Sequence, residues 1–131
     1  MKEQFVPYEI ALKLNEKGFN EECLGLYNLT VMYDSKISQP GEWFKITGPI
    51  KNHNEIDFVK APLWQQVIDW FREKHDIDVM IKQIKLDGTA YYKITKIETE
   101  DKIKGYSDFC KSTYEAKEKA IKQALKDLGH E

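Results

Sequence analysis

APLWQQVIDWFREKHDI, residues 61–77, carries the strongest helix signal in the chain and decides how the rest must be arranged. Pro62 suits a first helical turn, where its missing N–H is not needed. Leu63, Trp64, Val67, Ile68 and Phe71 recur at the three- and four-residue spacing that lines one side of a helix. Trp70 falls at the margin of that side, while Gln65, Gln66, Asp69, Arg72 and Glu73 lie opposite. Lys74 and His75 complement the negative end of the helix dipole. The pattern predicts a helix over residues 62–75 whose apolar face organises a core.

Upstream, Pro7 opens a second amphipathic stretch, in which Tyr8, Ile10, Ala11 and Leu14 share a side. Gly18 is its left-handed terminator, and Phe19 falls where a Schellman ending returns an apolar residue to Leu14. A helix is expected over residues 7–17. Short strands are expected within residues 23–47, from the β-forming run CLGLYNLTVMY and from Trp43 to Ile46 between two turn signals, Pro40-Gly41 and Gly48-Pro49. Ile56 to Val59 suggests a further short extended piece.

Downstream, residues 78–86 and 89–98 are β-rich and flank Asp87-Gly88, the composition of a two-residue type I′ hairpin turn. That turn would pair Ile84 with Tyr91 and Ile81 with Ile94, and would set Lys82 against Lys93. A charged link, residues 99–104, leads to a third strand at 105–110 with Tyr106 and Phe109 inward. Ser112 and Glu115 form a capping box, and Ala116, Ala120, Ile121, Ala124, Leu125 and Leu128 make the buried face of a helix over 113–128. Strands neighbour one another instead of alternating with helices. The expected fold is therefore α+β: one small domain over residues 1–131, with an antiparallel sheet (the three-stranded C-terminal meander plus short N-terminal strands) packed against three helices.

The formal net charge of −2 and pI near 6.0 supply no overall field for DNA or anionic lipid. Arg72 is the only arginine, which counts against a nucleic-acid clamp, because guanidinium is the preferred group for bidentate phosphate recognition. Cys23 and Cys110 read as small buried residues. The opening MKEQFVPYEI lacks an uninterrupted apolar run, no stretch has the length to span a membrane, and a cytoplasmic location is expected.

Chemistry is sparse. His53, His75 and His130 are scattered, and His75-Asp76 with Asp78 reads as a helix end and polar turn. Neither GxGxxG nor GxxxxGK[ST] occurs, and no serine or cysteine has a nucleophile setting. No catalytic residue, metal ligand or cofactor is assigned, and a non-enzymatic role is expected. The carboxy-terminal strand–strand–strand–helix order is loosely similar to a double-stranded-RNA-binding domain. It departs at Ser112-Thr113-Tyr114-Glu115-Ala116, which puts an acid where that family presents lysines, so nucleic-acid binding is the alternative reading.

Phe5-Val6-Pro7-Tyr8-Glu9-Ile10-Ala11, then Leu14-Asn15-Glu16-Lys17-Gly18-Phe19 and Cys23, together with the segment Ala61 to His75 and the ending Thr113-Tyr114-Glu115-Ala116, resemble a group of small uncharacterised proteins of bacteriophages and prophages of gut bacteria. Glu22 departs from that pattern, where many relatives have proline before the cysteine. The resemblance covers about half of the chain and implies a phage or mobile-element accessory protein in the cytoplasm of a bacterial host, with a host or phage protein as partner. It transfers no site. The residues expected to form an interaction surface are Trp43 and Phe44, in the weakly patterned connection of residues 34–60, and Trp70 and Arg72, at and beyond the margin of the apolar helix face.

Overall fold

The computed structural model describes residues 2–28, 43–45, 58–100, 102–105 and 107–128. In chain order these form a 3-10 turn at Lys2–Gln4, α1 (Tyr8–Glu16), β1 (Gly25–Asn28), β2 (Trp43–Lys45), β3 (Phe58–Ala61), α2 (Trp64–His75), β4 (Ile77–Gln83), β5 (Ala90–Lys96), β6 (Lys102–Lys104) and α3 (Thr113–Leu128). The fold class is α+β. The strands make two antiparallel three-stranded sheets, ordered β2-β1-β3 and β4-β5-β6. Two compact units result, Met1–Trp64 and Gln65–Glu131, each holding one sheet. Among the described residues no helix is long and apolar enough to cross a membrane.

In the first unit, Pro7 precedes α1 as its cap, and its carbonyl accepts the Ala11 N–H at 3.0 Å. At the other end Gly18 adopts φ 91°, its N–H donates to the Asn15 carbonyl at 3.2 Å, and the Phe19 N–H donates to the Leu14 carbonyl at 2.9 Å. These are the two bonds of a Schellman ending, and Leu14 and Phe19 are both buried beside it. β1 lies between its neighbours, with Tyr27 opposite Trp43 on one side and Val59 on the other. The Tyr27 hydroxyl donates to the Val6 carbonyl, and its ring meets Tyr8 edge-on at 5.6 Å.

The start of α2 differs from the expectation. Residues 62 and 63 are extended, and the helix begins at Trp64. Phe5 forms a bridge with Leu63, and the Val6 N–H donates to the Pro62 carbonyl at 2.9 Å. Pro62 also drives Ala61 into the β region, so Ala61 closes β3. Trp64 is held at the junction by its indole N–H, which donates to the Glu3 carbonyl at 3.1 Å.

In the second unit, α2 buries Val67, Ile68 and Phe71 as its spacing predicts. Asp76 then turns the chain with φ 57°. Its carbonyl accepts the Ile97 N–H at 3.0 Å and its carboxylate accepts the Glu98 N–H at 3.1 Å, which ties the start of β4 to the end of β5. α3 lies along β4 and β5, and its alanines Ala116, Ala120 and Ala124 are fully buried there. At its first turn the Glu115 N–H donates to Ser112 Oγ at 3.1 Å. The Glu115 carboxylate reaches back one residue beyond the cap, to the Lys111 N–H at 2.7 Å.

Two β expectations are corrected. The hairpin is not closed by a two-residue turn at Asp87-Gly88: Ile84 pairs with Thr89 across a four-residue loop, and Ile81 faces Tyr92, not Ile94. Asp87 explains the wider loop, since its carboxylate accepts both the N–H and the hydroxyl of Thr89, at 2.9 and 2.7 Å. The two-residue shift keeps every side chain on its expected face. It also sets Lys82 against Tyr91 and Met80 against Lys93, which removes the like-charge pair. The third strand lies at residues 102–104, earlier than expected, after a register shift at Ile94/Thr95. Among the described residues, the expected stretch 105–110 follows β5 through Ser107, which bonds Tyr92, and Cys110, which bonds Ala90. Phe109 is exposed there, and Tyr106 lies outside the described residues.

Removing the α3 cap leaves the Glu115 N–H without its partner. Ser112→Ala should lower unfolding free energy by about 1 kcal/mol in urea denaturation, with an unchanged slope.

Candidate functional site

Four residues were expected to form a surface, and they fare differently. Trp43 is half-buried within the first unit, its ring 5.1 Å from Phe5 and laid over Gly25. A Cβ at position 25 would stand 2.5 Å from the Trp43 Nε1, so only glycine admits the indole. That Nε1 is itself buried and makes no hydrogen bond among the described residues. The Phe44 side chain, like most of residues 34–60, lies outside the described residues. Trp70 is not at a surface: it is 4% exposed, edge-on to Phe71 and 4.5 Å from the His75 ring. The helix face is wider than the i, i+3, i+4 stripe, since Trp70 sits about 60° round the axis from Val67 and is buried with it. Arg72 is exposed, as expected.

Around Arg72 the second unit forms an open cleft of about 570 Å³. Arg72 Nη2 donates to Asp78 Oδ1 at 2.9 Å across the α2–β4 turn. Thr95 stands opposite Asp78 in the ladder, and Lys93 lies two residues along the same side of β5. Lys96, Ile97 and Glu100 complete the wall from the end of β5 and the turn after it. Three cations and two carboxylates thus line the cleft, and the two Asp76 bonds hold Ile97 and Glu98 in the turn beside it.

A different surface occupies the opposite end of the β4–β5 hairpin. Position 88 is set close to the start of α3, where an added Cβ would be 3.6 Å from the Lys111 carbonyl oxygen. Ala90 and Cys110 exchange backbone bonds of 3.0 and 2.7 Å beside it. This brings together three elements whose large side chains are open to solvent: Leu86 at 104% exposure, Phe109 at 68% and Tyr114 at 38%. The sequence reading placed Leu86 in a strand and Phe109 inward. The available signal was the position of Leu86 immediately before Asp87-Gly88, inside the turn and not in the alternation that precedes it.

Both cysteines are free thiols. Burial is the main cause that pushes the Cys23 thiol up to about 11, with Lys60 opposing it, and burial likewise raises that of Cys110. His75 packs on Trp70, while Asp76 and Asp78 are engaged with Glu98 and Arg72. Among the described residues no three His, Cys, Asp or Glu side chains group as metal ligands.

The fold and surfaces define a small α+β protein with two candidate binding regions on one unit. Compared with known proteins, the chain matches no family model, no curated protein and no solved structure.

A thiol held protonated is a poor nucleophile. Cys23 alkylation by iodoacetamide should therefore stay slow through pH 9 and rise steeply only as the pH approaches 11. Mass spectrometry of timed quenches, with a small free thiol as reference, checks this.

Proposed function

We propose that the protein is a non-enzymatic accessory protein of a phage or mobile element, acting in the cytoplasm of the bacterial host by binding another protein. Its binding surface is the hairpin end of the Gln65–Glu131 unit. The observation that carries this reading is the exposure of Leu86 and Phe109 at one end of the unit. Single exposed apolar residues are ordinary, but two large ones on neighbouring elements at one end of a unit are of the kind that partners cover. The resemblance of the α1 and α2 segments to phage and prophage proteins supports the context.

Nucleic-acid binding is the second reading, and one observation favours it: the order α2, β4, β5, β6, α3 is similar to that of a double-stranded-RNA-binding domain. The start of α3 weighs against it. There Glu115 accepts the Lys111 N–H and pairs with Lys119 at 3.1 Å, so negative charge sits where phosphate would have to approach. The Lys111 and Glu115 backbones are both committed to the helix cap.

The two readings separate in one experiment. Affinity capture from host lysate with the native chain should retain a protein that is lost, by about 30-fold or more, with Leu86→Ser/Phe109→Ser, given the weight of two central apolar anchors. Circular dichroism should show the variant folded, because neither side chain is in the core. Undiminished capture by the variant would sink the assignment. Salt-sensitive retardation of a short RNA duplex by the native chain would replace it with the second reading.

A further inference from the structure

We infer that Asp87-Gly88 is a site of spontaneous backbone modification, where Asp87 converts to isoaspartate through a cyclic imide, and that Thr89 restrains the conversion. This goes beyond the protein-binding reading and does not depend on it.

The chemistry needs only the chain and water. The Gly88 backbone nitrogen attacks Asp87 Cγ and a C–N bond forms. The amide gives up its proton and the protonated carboxyl its hydroxyl, so one water leaves and a five-membered imide remains. Water then adds back to one of the two imide carbonyls. Addition at Cγ breaks the new C–N bond and restores aspartate. Addition at the Asp87 main-chain carbonyl breaks the original peptide bond and leaves the chain running through Cβ and Cγ, which is isoaspartate. A side chain on the attacking residue would hinder the approach, and glycine has none. Of the seven glycines, only Gly88 follows an aspartate or an asparagine.

The loop exposes this dipeptide and at the same time occupies both of its reacting groups. Asp87 is open to solvent between Ile84 and Thr89, the pair that closes the loop. The Thr89 N–H and hydroxyl both donate to one oxygen, Asp87 Oδ1, at 2.9 and 2.7 Å. A single residue therefore sets the direction of the carboxylate and draws it toward position 89, past the Gly88 nitrogen. The Thr89 bonds, with Lys85 nearby, also hold the Asp87 carboxyl below its ordinary range, and the ionised form has no hydroxyl to lose. The Gly88 N–H donates to the Lys85 carbonyl at 3.1 Å, which fixes the plane of the attacking amide. Ring closure must wait until these bonds open.

The product does not fit the loop that it forms in. Isoaspartate lengthens the main chain by one carbon, between ends pinned by the 2.8 Å bond from the Ile84 N–H to the Thr89 carbonyl. Position 88 already stands close to the start of α3, where an added Cβ would lie 3.6 Å from the Lys111 carbonyl oxygen and 3.9 Å from Ser112 Cα. The extra atom therefore displaces the loop against α3.

The test is the rate of isoaspartate formation at residue 87 in the full chain, held at 37 °C and pH 6. Peptide mapping with electron-transfer fragmentation separates the two isomers. The same chain in denaturing guanidinium chloride gives the unrestrained rate, which should exceed the native rate at least about tenfold, because the native loop must first break charge-assisted bonds. Thr89→Val and Thr89→Ala both lack the hydroxyl and should convert about three- to tenfold faster than the native chain. Thr89→Ser keeps the hydroxyl and should stay within about twofold of the native rate. Thr89 is half-buried at the end of the ladder, so the variants should fold, which circular dichroism checks. If one of the hydroxyl-free variants unfolds, the other carries the comparison. Absence of isoaspartate at residue 87 in the denatured chain, or native conversion as fast as denatured, would overturn the inference. So would a folded Val or Ala variant as slow as the native chain, or a folded Thr89→Ser as fast as the denatured one.

Discussion

The pairing of β4 with β5, from Ile77 opposite Lys96 to Gln83 opposite Ala90, is the constraint on which the second unit depends. Its inward side presents Val79, Ile94, Tyr92 and Ala90, and the alanine face of α3 is narrow enough to lie along those strands. β6 and the stretch ending at Cys110 both attach to β5. The ladder also separates the two surfaces. Asp76 closes it at the cleft end, and the Asp87–Thr89 bonds close it at the apolar end. A change of register would therefore move both surfaces at once while leaving the helices intact.

The helices were legible because their signals are local. Gly18 and Phe19 specify an ending whose two bonds fall within five residues, and Ser112 with Glu115 specifies a beginning in the same way. The strand register was not legible for the opposite reason. Asp-Gly is a good two-residue turn taken by itself, but the Asp87 carboxylate captures Thr89, and repulsion between Lys82 and Lys93 disfavours the tighter register. Both effects compare two long-range arrangements, and neither is visible in a composition. The start of α2 failed similarly, because Leu63 has the right helical spacing and yet is claimed by Phe5 from the far end of its unit.

Of the candidate surface, Arg72 could be read from the helical wheel, since charge opposite an apolar stripe stays wet. Trp70 could not, because the width of the buried face depends on how many neighbours surround the helix, and the stripe counts only one side. Trp43 was singled out as an exposed aromatic, whereas its ring covers Gly25, a fact set by strand pairing of Gly25 with Lys45 and its neighbours. The hydrophobicity of Leu86 and Phe109 points toward burial, and both are exposed. Their exposure follows from the four-residue loop and from the irregular path of residues 107–110, neither of which has a sequence period.

The bridge between Phe5 and Leu63, and the bond from Val6 to Pro62, join the two extremities of the Met1–Trp64 unit. A chain emerging from the ribosome amino-terminus first must therefore hold Phe5 and Val6 in waiting until nearly the whole unit has been made. Its contacts are long in sequence separation, and closing them late costs loop entropy that local contacts avoid. The hairpin of β4 and β5 has no such delay: its strands are adjacent in sequence and can pair as soon as they are exposed. The first sheet therefore waits for its last strand, whereas β4 and β5 can close as soon as both have been made.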